Sequence, residues 1–357
     1  MPSLYQKLTR FEFWPYQLFY APVYVHLLAA GLRKGGITQF VAANPGIPYG
    51  GLLEYSKDAI TRQLPEDRVP RTVVVPMRLP LSQVESQLDA HSLDFPIIAK
   101  PDRGERGFMV EKLASREDLG AYMSRAKRFC DKLDEVGLDG DAEHLLLQNY
   151  INEPAEFGVM YVRRPGAPRG AITSIVYKEL LYVDGDGSST LGELIQRGER
   201  TRIHRQMLLE AHGGAVDHVP AAGERRYVVE IGNHARGATF RDVTAAASEA
   251  LLEHIEPLAR AIDGFFVGRF DIRCRDFAAL EAGAFHVIEV NGVNSEPAHI
   301  YDPSNSIRAA YRDLLSHWRE VERIAWRNRR LGTDVPDLPT LITAIKRHNL
   351  RLRAQGE

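Results

Sequence analysis

The chain has 357 residues, 44% apolar and 26% charged, enough for about two globular domains of roughly 150 residues and unlike a disordered or fibrous composition. Basic and acidic side chains nearly balance, 45 against 47, and a net charge of −2 gives no global field to draw the molecule onto nucleic acid, so the expected partner is a small molecule. Two cysteines, Cys130 and Cys274, with no CxxC pair, Cys-His cluster or secretory leader, argue against a disulfide framework or zinc site and for a reducing cytoplasm.

In chain order, the first feature is an uncharged apolar stretch of 16 residues, 17–32, containing Pro22 and His26. It falls short of the roughly 20 residues a membrane span needs and reads as a buried or docking helix, with membrane contact not expected. A strand over 38–43 is predicted next, then a loop over 44–51, whose prolines and glycines continue neither regular element. Ser56 caps a helix that begins at Lys57. Strands follow at 71–76 and 95–100, separated by a helix at 82–88, and helix-period residues then occupy 115–136. Further strands are predicted at 144–151, 156–163, 171–178, 265–273 and 285–291, with helices at 188–197 and 245–262. The tail, 319–357, carries nine Lys/Arg against five acids and reads as a solvated helical face, a linker and a last amphipathic helix.

Three segments carry polar groups where apolar ones are expected. The apolar strand 95–100 ends in Lys100 and runs into a loop with Arg103, Gly104, Arg106 and Gly107. A lysine at the end of a buried strand is costly unless it meets an anion, and such a loop can lay N–H groups on phosphate oxygens; the same pattern fits a surface hairpin with a snorkelling lysine. The loop is short of apolar anchors, so it is expected to be mobile without nucleotide. The strand Leu145–Ile151 is interrupted by Asn152-Glu-Pro-Ala155 before Glu156, which frees backbone groups for an adenine edge and a carboxylate for ribose hydroxyls; read alone, a β-bulge or hairpin explains it better. Strands 267–273 and 286–291 place Arg269 with Asp271, and Glu289 with Asn291, on one face by the two-residue period. Hard oxygens beside an arginine suit Mg²⁺ on nucleotide phosphates.

Taken together in this order, Ile-Ile-Ala-Lys100 with its glycine loop, Leu-Gln148-Asn-Tyr-Ile151 with Glu156, and Arg269-Phe-Asp271 with Glu289-Val-Asn291 resemble the ATP-grasp superfamily, nearest to the D-alanine:D-alanine ligase and glutathione or cyanophycin synthetase type, over about residues 56–318. The resemblance implies an α+β fold, two α/β subdomains clasping ATP. It implies segments at 1–76 (truncated N-terminal), 77–163 (small subdomain with the phosphate loop), 164–318 (large subdomain with the metal site) and 319–357 (basic tail). It also implies an activity, ATP-dependent ligation of a carboxylic acid to an amine through an acyl phosphate; a small-molecule kinase or a non-catalytic nucleotide-binding module remains open.

By the same resemblance, Lys57, Lys100, Arg103, Gly104, Gly107, Gln148, Asn149, Ile151, Glu156 and Lys178 bind ATP. Lys100 and Arg269 stabilise the transferred phosphoryl group, and Asp271, Glu289 and Asn291 hold two Mg²⁺, for which Mn²⁺ can substitute. Gly-Asp-Gly-Ser-Ser-Thr190 resembles a segment of the cyanophycin and glutathione types, and His234 and Arg236 fall where such ligases place a loop beside the acceptor. Departures lie at the ends of the pattern. Only about 55 residues precede Lys57, so the amino-terminal domain is read as truncated or rebuilt. After Asn291 the usual small-residue turn is replaced by a polar segment in which Asn294, Ser295, Glu296 and His299 are the substrate candidates. The partners implied are an amino acid or peptide-like acid and amine, without nucleic acid, with a homodimer left open.

Overall fold

The structure, a computed structural model, describes residues 11, 14–34, 36–105, 107–229 and 237–356. Helix α1 (Tyr16–Lys34) and the one-turn α2 (Lys57–Thr61) precede β1 (Thr72–Pro76), α3 (Leu81–Ala90), β2 (Ile97–Pro101), β3 (Glu111–Leu113), α4 (Arg116–Glu135) and β4 (His144–Asn149). The chain continues through β5 (Ala155–Val162), β6 (Ala171–Glu179), β7 (Tyr182–Asp184), α5 (Leu191–Arg197), α6 (Arg205–His212), β8 (Arg225–Tyr227) and β9 (Thr239–Asp242). It ends with α7 (Glu249–Ala261), β10 (Val267–Cys274), α8 (Phe277–Glu281), β11 (Phe285–Asn291), α9 (Ile307–Arg330) and α10 (Leu338–Gln355). The fold is α+β.

Two antiparallel sheets organise it. The first has strand order β1-β4-β2-β3 and the second β11-β10-β5-β6-β9, while β7 and β8 form a separate ribbon. Each sheet buries one face under helices because its strands alternate. Val73, Val75, Ile97, Ala99, Leu145 and Leu147 of the first pack on Val84, Leu119, Tyr122 and Leu133 of α3 and α4. Phe157, Val159, Phe270, Ile272 and Val287 of the second pack on Leu251, Ile255 and Leu258 of α7. The opposite faces carry the polar residues. A third core joins α1 to α9 through Phe19, Val23, Leu314, Trp318 and Val321. Cys130 and Cys274 are free and buried in different cores.

Several boundaries differ from expectation. The boundary read at 163 falls after β5, whose neighbours β10 and β6 place it in the second sheet. The one read at 76 falls after β1, which lies at the edge of the first sheet. The break at 318 falls inside α9, a single helix of 24 residues. The strand predicted over 38–43 is instead a 3₁₀ helix, Gln39–Ala43. Its carbonyls find side-chain donors rather than a neighbouring strand, since the buried Asn328 amide donates to Ala42 at 2.9 Å. The loop that follows is a brace. Asn44 accepts from the amides of Phe266 and Val267 and donates to the Val267 carbonyl at 2.8 Å, and Gly51, at φ 80°, lies so close to Gly292 that a Cβ would sit 2.7 Å from its Cα. The last helix is amphipathic, as its pattern predicts, and the stretch before the linker buries Val321, Ile324 and Ala325 where a solvated face is expected. Leu350 and Ala354 join the core beneath the first sheet, and Arg351 makes a bidentate pair with Glu143 at 2.7 and 2.8 Å, both side chains buried.

Candidate active site

Between the polar faces of the two sheets lies a cleft of about 790 Å³. From the first sheet come Ile98 and Lys100 on β2 and Gln148 and Asn149 on β4; from the second come Glu156, Lys178, Arg269, Asp271, Arg273, Glu289 and Asn291. Alternation explains the selection on β10, where Phe270, Ile272 and Cys274 point into the core and Arg269, Asp271 and Arg273 into the cleft. On β11 simple alternation would fail, because Phe285 and Val287 face the core and Glu289 shares their parity. The register slips by one between Asp271 and Ile272, pairing Asp271 with Glu289 but Ile272 with Val287, so Ile288 is an extra residue and Glu289 turns outward.

The Ile288 carbonyl at this slip accepts from Lys100 Nζ at 3.0 Å, which ties the two sheets together across the cleft. Burial pushes the Lys100 pKa down to about 8 against the attraction of Glu289, so its ammonium is poised to gain from a new anion. Lys57 lies nearby, its Nζ 3.8 Å from Glu289 and hydrogen-bonded to the Gly104 carbonyl. The start of its helix is pinned to the loop after β2, since Asp102 accepts from Ser56 Oγ and the Asp58 amide, each at 2.9 Å.

On the second sheet the charges form a row. Asp271 takes Arg269 bidentately at 2.7 and 3.1 Å and Lys178 at 3.3 Å; Lys178 also donates to Glu156 at 2.8 Å, and Arg273 stands 3.5 Å from Glu156. Burial opposes ionisation of Asp271, yet Arg269 and Lys178 outweigh it and hold its pKa below the usual carboxylate value. Burial likewise opposes the charge on Lys178, and Asp271 and Glu156 raise its pKa above that of a free lysine. Gly158 makes room for this row: a Cβ there would lie 3.0 Å from Arg269 Cδ and 2.9 Å from Val176. Asn291 donates weakly to Asp271 at 3.4 Å, and its Oδ1 accepts from Tyr55 at 3.1 Å.

Of the residues expected at the site, Lys57, Lys100, Gly104, Gly107, Gln148, Asn149, Ile151, Glu156, Lys178, Arg269, Asp271, Glu289, Asn291, Asn294, Ser295 and Glu296 line this one cleft. Arg103 instead lines a small recess against His348 and Arg351. His299 is buried off the cleft, its ring between Ser174 Oγ at 2.7 Å and Asp313 at 3.3 Å. His234 and Arg236, like Arg106, lie outside the described residues. Two backbone groups at the residues assigned to an adenine edge have partners of their own. The Asn149 amide donates to Arg71 at 3.0 Å and the Ile151 carbonyl accepts from Arg273 at 3.1 Å. Glu156, assigned to ribose, is already covered by two cations. The Gly-Asp-Gly-Ser-Ser-Thr190 segment folds with the β7–β8 ribbon, and none of it lines the cleft.

The loop around Gly104 and Gly107 is better anchored than its composition suggests. Phe108 packs against Phe129 with centroids 4.9 Å apart and rings tilted by 57°, and Tyr122 donates to the Met109 carbonyl at 2.8 Å. Residues missed from sequence include Tyr55, Arg273, His348, and Tyr20 and Tyr301, which both donate to Glu296. Tyr55, directly before the Ser56-Lys57 cap, was the detectable one; Tyr20 is hidden in an apolar run that reads as core.

Asp271, Glu289 and Asn291 offer hard oxygen donors of the kind Mg²⁺ prefers. Among the described residues no three His, Cys, Asp or Glu side chains converge on a metal position. An ion on this set would take the rest of its coordination sphere from phosphate oxygens and water and would share Asp271 with Arg269 and Lys178.

No known protein-family model and no curated protein matches the chain. Among solved structures it is similar to a bifunctional glutathione synthetase from Pasteurella multocida, at 17% identity and TM-score 0.37 over 74% of this chain and 36% of that one. It is also similar to a D-Ala:D-Ser ligase from Enterococcus faecalis, at 15% identity and TM-score 0.39 over 74% and 61%, and to a D-alanine–D-alanine ligase from Bacillus anthracis, at 12% and 0.40 over 78% and 69%. The chain thus spans about a third of the first and under two thirds of the second.

Proposed function

We propose that the chain is an ATP-grasp enzyme that joins a carboxylic acid to an amine at the expense of ATP. The observation that carries this reading is Lys100 on one sheet facing Arg269, Asp271 and Glu289 on the other across a cleft large enough for a nucleotide. Ile98 and Ile288 offer apolar surface to a base from the two sides, and Lys57, Lys100 and the Gly104–Gly107 loop offer charge and N–H groups to the phosphates.

In the proposed reaction a carboxylate oxygen attacks the γ-phosphorus, ADP departs, and the resulting acyl phosphate is attacked by the amine nitrogen, which loses a proton as phosphate leaves. A carboxylate needs this activation because hydroxide is too poor a leaving group. Lys100 and Arg269 lie where charge grows on the transferred phosphoryl group, and the row Asp271, Lys178, Glu156 holds Arg269 in place. Mg²⁺ held by Glu289, Asn291 and Asp271 would neutralise phosphate charge. Glu156 is assigned to positioning Lys178 rather than to ribose. Asn294, Ser295 and Glu296, beyond Asn291, border the substrate end, and the phosphate loop excludes water that would hydrolyse the intermediate.

The test is interception. Incubation with ATP, Mg²⁺, hydroxylamine and a panel of amino acids, dipeptides and other carboxylic acids is expected to yield a hydroxamate and ADP that depend on one acid, because a small strong nucleophile can replace the amine. ADP with a stable phosphate ester and no hydroxamate would make the protein a kinase. No acid-dependent ADP across the panel would remove the ligase reading.

A further inference from the structure

Helix α1 buries one side and exposes the other. Phe19, Tyr20, Val23 and Ala30 face inward. Opposite them Leu18, Ala21, Pro22, Val25, Leu28 and Leu32 share an arc of about 120° at 3.6 residues per turn. Leu18 is 59% exposed, Val25 69%, Leu28 52% and Leu32 77%, whereas isolated surface leucines need no explanation but a continuous apolar strip does. Among the described residues no helix is long and apolar enough to cross a membrane. We propose that this face of α1 lies in the surface of an anionic phospholipid bilayer, parallel to it, as a monotopic anchor.

Two features favour lipid over protein. From Trp14 to Lys34 there is no Asp or Glu, and the helix closes on Arg33 and Lys34. A second copy of α1 therefore brings no countercharge, while acidic headgroups do. The borders of the strip are also those of an interfacial helix rather than of a helix pair. Tyr24, 48% exposed, flanks it with a ring that prefers the headgroup level, and no acidic side chain edges it. Because α1 also lines the cleft through Tyr16, Phe19 and Tyr20, docking sets the substrate end of the cleft beside the bilayer.

The experiment is flotation of the full chain with vesicles of phosphatidylcholine alone and of phosphatidylcholine with phosphatidylglycerol, alongside its molar mass in solution. The chain is expected to float with the mixed vesicles, less with the neutral ones, and less again at high salt. Val25→Glu combined with Leu28→Glu should lower the bound fraction about tenfold or more while leaving the melting temperature and nucleotide binding unchanged, since both side chains stand in solvent. Leu28→Phe, which keeps the apolar surface, should bind as the parent does and serves if the double variant is poorly folded. Failure to float with either vesicle, undiminished flotation of the double variant, or a dimer that the double variant splits would overturn the proposal, the last in favour of a second copy. Each readout is independent of the ligase reaction.

Discussion

Glu289 is the residue on which the proposed chemistry depends most and stability least. Its side chain is 29% exposed and its nearest cation, Lys57, stands 3.8 Å away, beyond hydrogen-bond reach. Glu289→Gln is therefore expected to cut ATP turnover by about 100-fold or more while shifting unfolding free energy by less than about 1 kcal/mol, read as ADP release beside a denaturant midpoint. Full turnover in a folded variant would remove Glu289 from the metal set. His317, beside Ser295, behaves in the opposite way. Burial pulls its pKa down to about 4, a backbone contact with Ser295 only partly resists, and its Nε2 has no partner. It is neutral when folded and takes a proton near pH 6.5 when unfolded. Its contribution to stability is thus complete above pH 6.5 and lost as the pH falls toward 4, by up to about 3 kcal/mol. Unfolding at pH 7, 5.5 and 4.5 should show this loss in the parent and less of it in His317→Phe. Parallel curves would mean the ring is not held neutral.

Among elements, β11 and α10 do the most with single irregularities. The extra residue at Ile288 both turns Glu289 outward and leaves a carbonyl for Lys100, so one slip in register builds the cleft's floor and its bridge. Helix α10 is fastened by the Arg351–Glu143 pair, and Glu143 is only 2% exposed. Arg351→Ala would strand that carboxylate and is expected to cost roughly 3–5 kcal/mol in chemical unfolding, whereas Arg351→Met with Glu143→Leu should recover most of it. A loss below about 1 kcal/mol in the single variant would mean the pair is open to water. His348 of the same helix stands 3.7 Å from Glu105 in the phosphate loop, so loosening α10 also reaches the cleft.

At the scale of the molecule, contacts that cross between the two sides of the cleft include Lys100 on the Ile288 carbonyl and, from α2, Lys57 on the Gly104 carbonyl. A triphosphate would add charge-bearing contacts to both sides at once, drawing the phosphate loop onto the second sheet. The loop's far half is already anchored by Phe108, so the change is expected at its near half. Tryptic cleavage after Arg103 should slow several-fold when a non-hydrolysable ATP analogue and Mg²⁺ are added, with the melting temperature rising in step. Equal cleavage with and without the analogue would separate the loop from phosphate binding.

The sequence alone determined what local physics controls. Period-two alternation on β10 put Arg269 and Asp271 on one face, and the Ser56 cap placed Lys57 at a helix start, while the apolar strand ending in Lys100 fitted a buried cation or a snorkelling one. Strand boundaries from β4 to β6 followed the same alternation to within two residues. Contacts between distant segments were decided only by the tertiary structure. Whether β5 joins the first or second sheet depends on which neighbour it pairs with, and its own residues satisfy either. Gln39–Ala43 has strand-like composition, but with Asn328 supplying donors and no strand edge beside it, the segment closes on itself as a 3₁₀ helix. His299 carries the chemistry of a substrate ligand, and packing commits its ring to Ser174 and Asp313 instead. The slip that turns Glu289 into the cleft arises from the pairing of two strands, so no residue of β11 taken singly announces it.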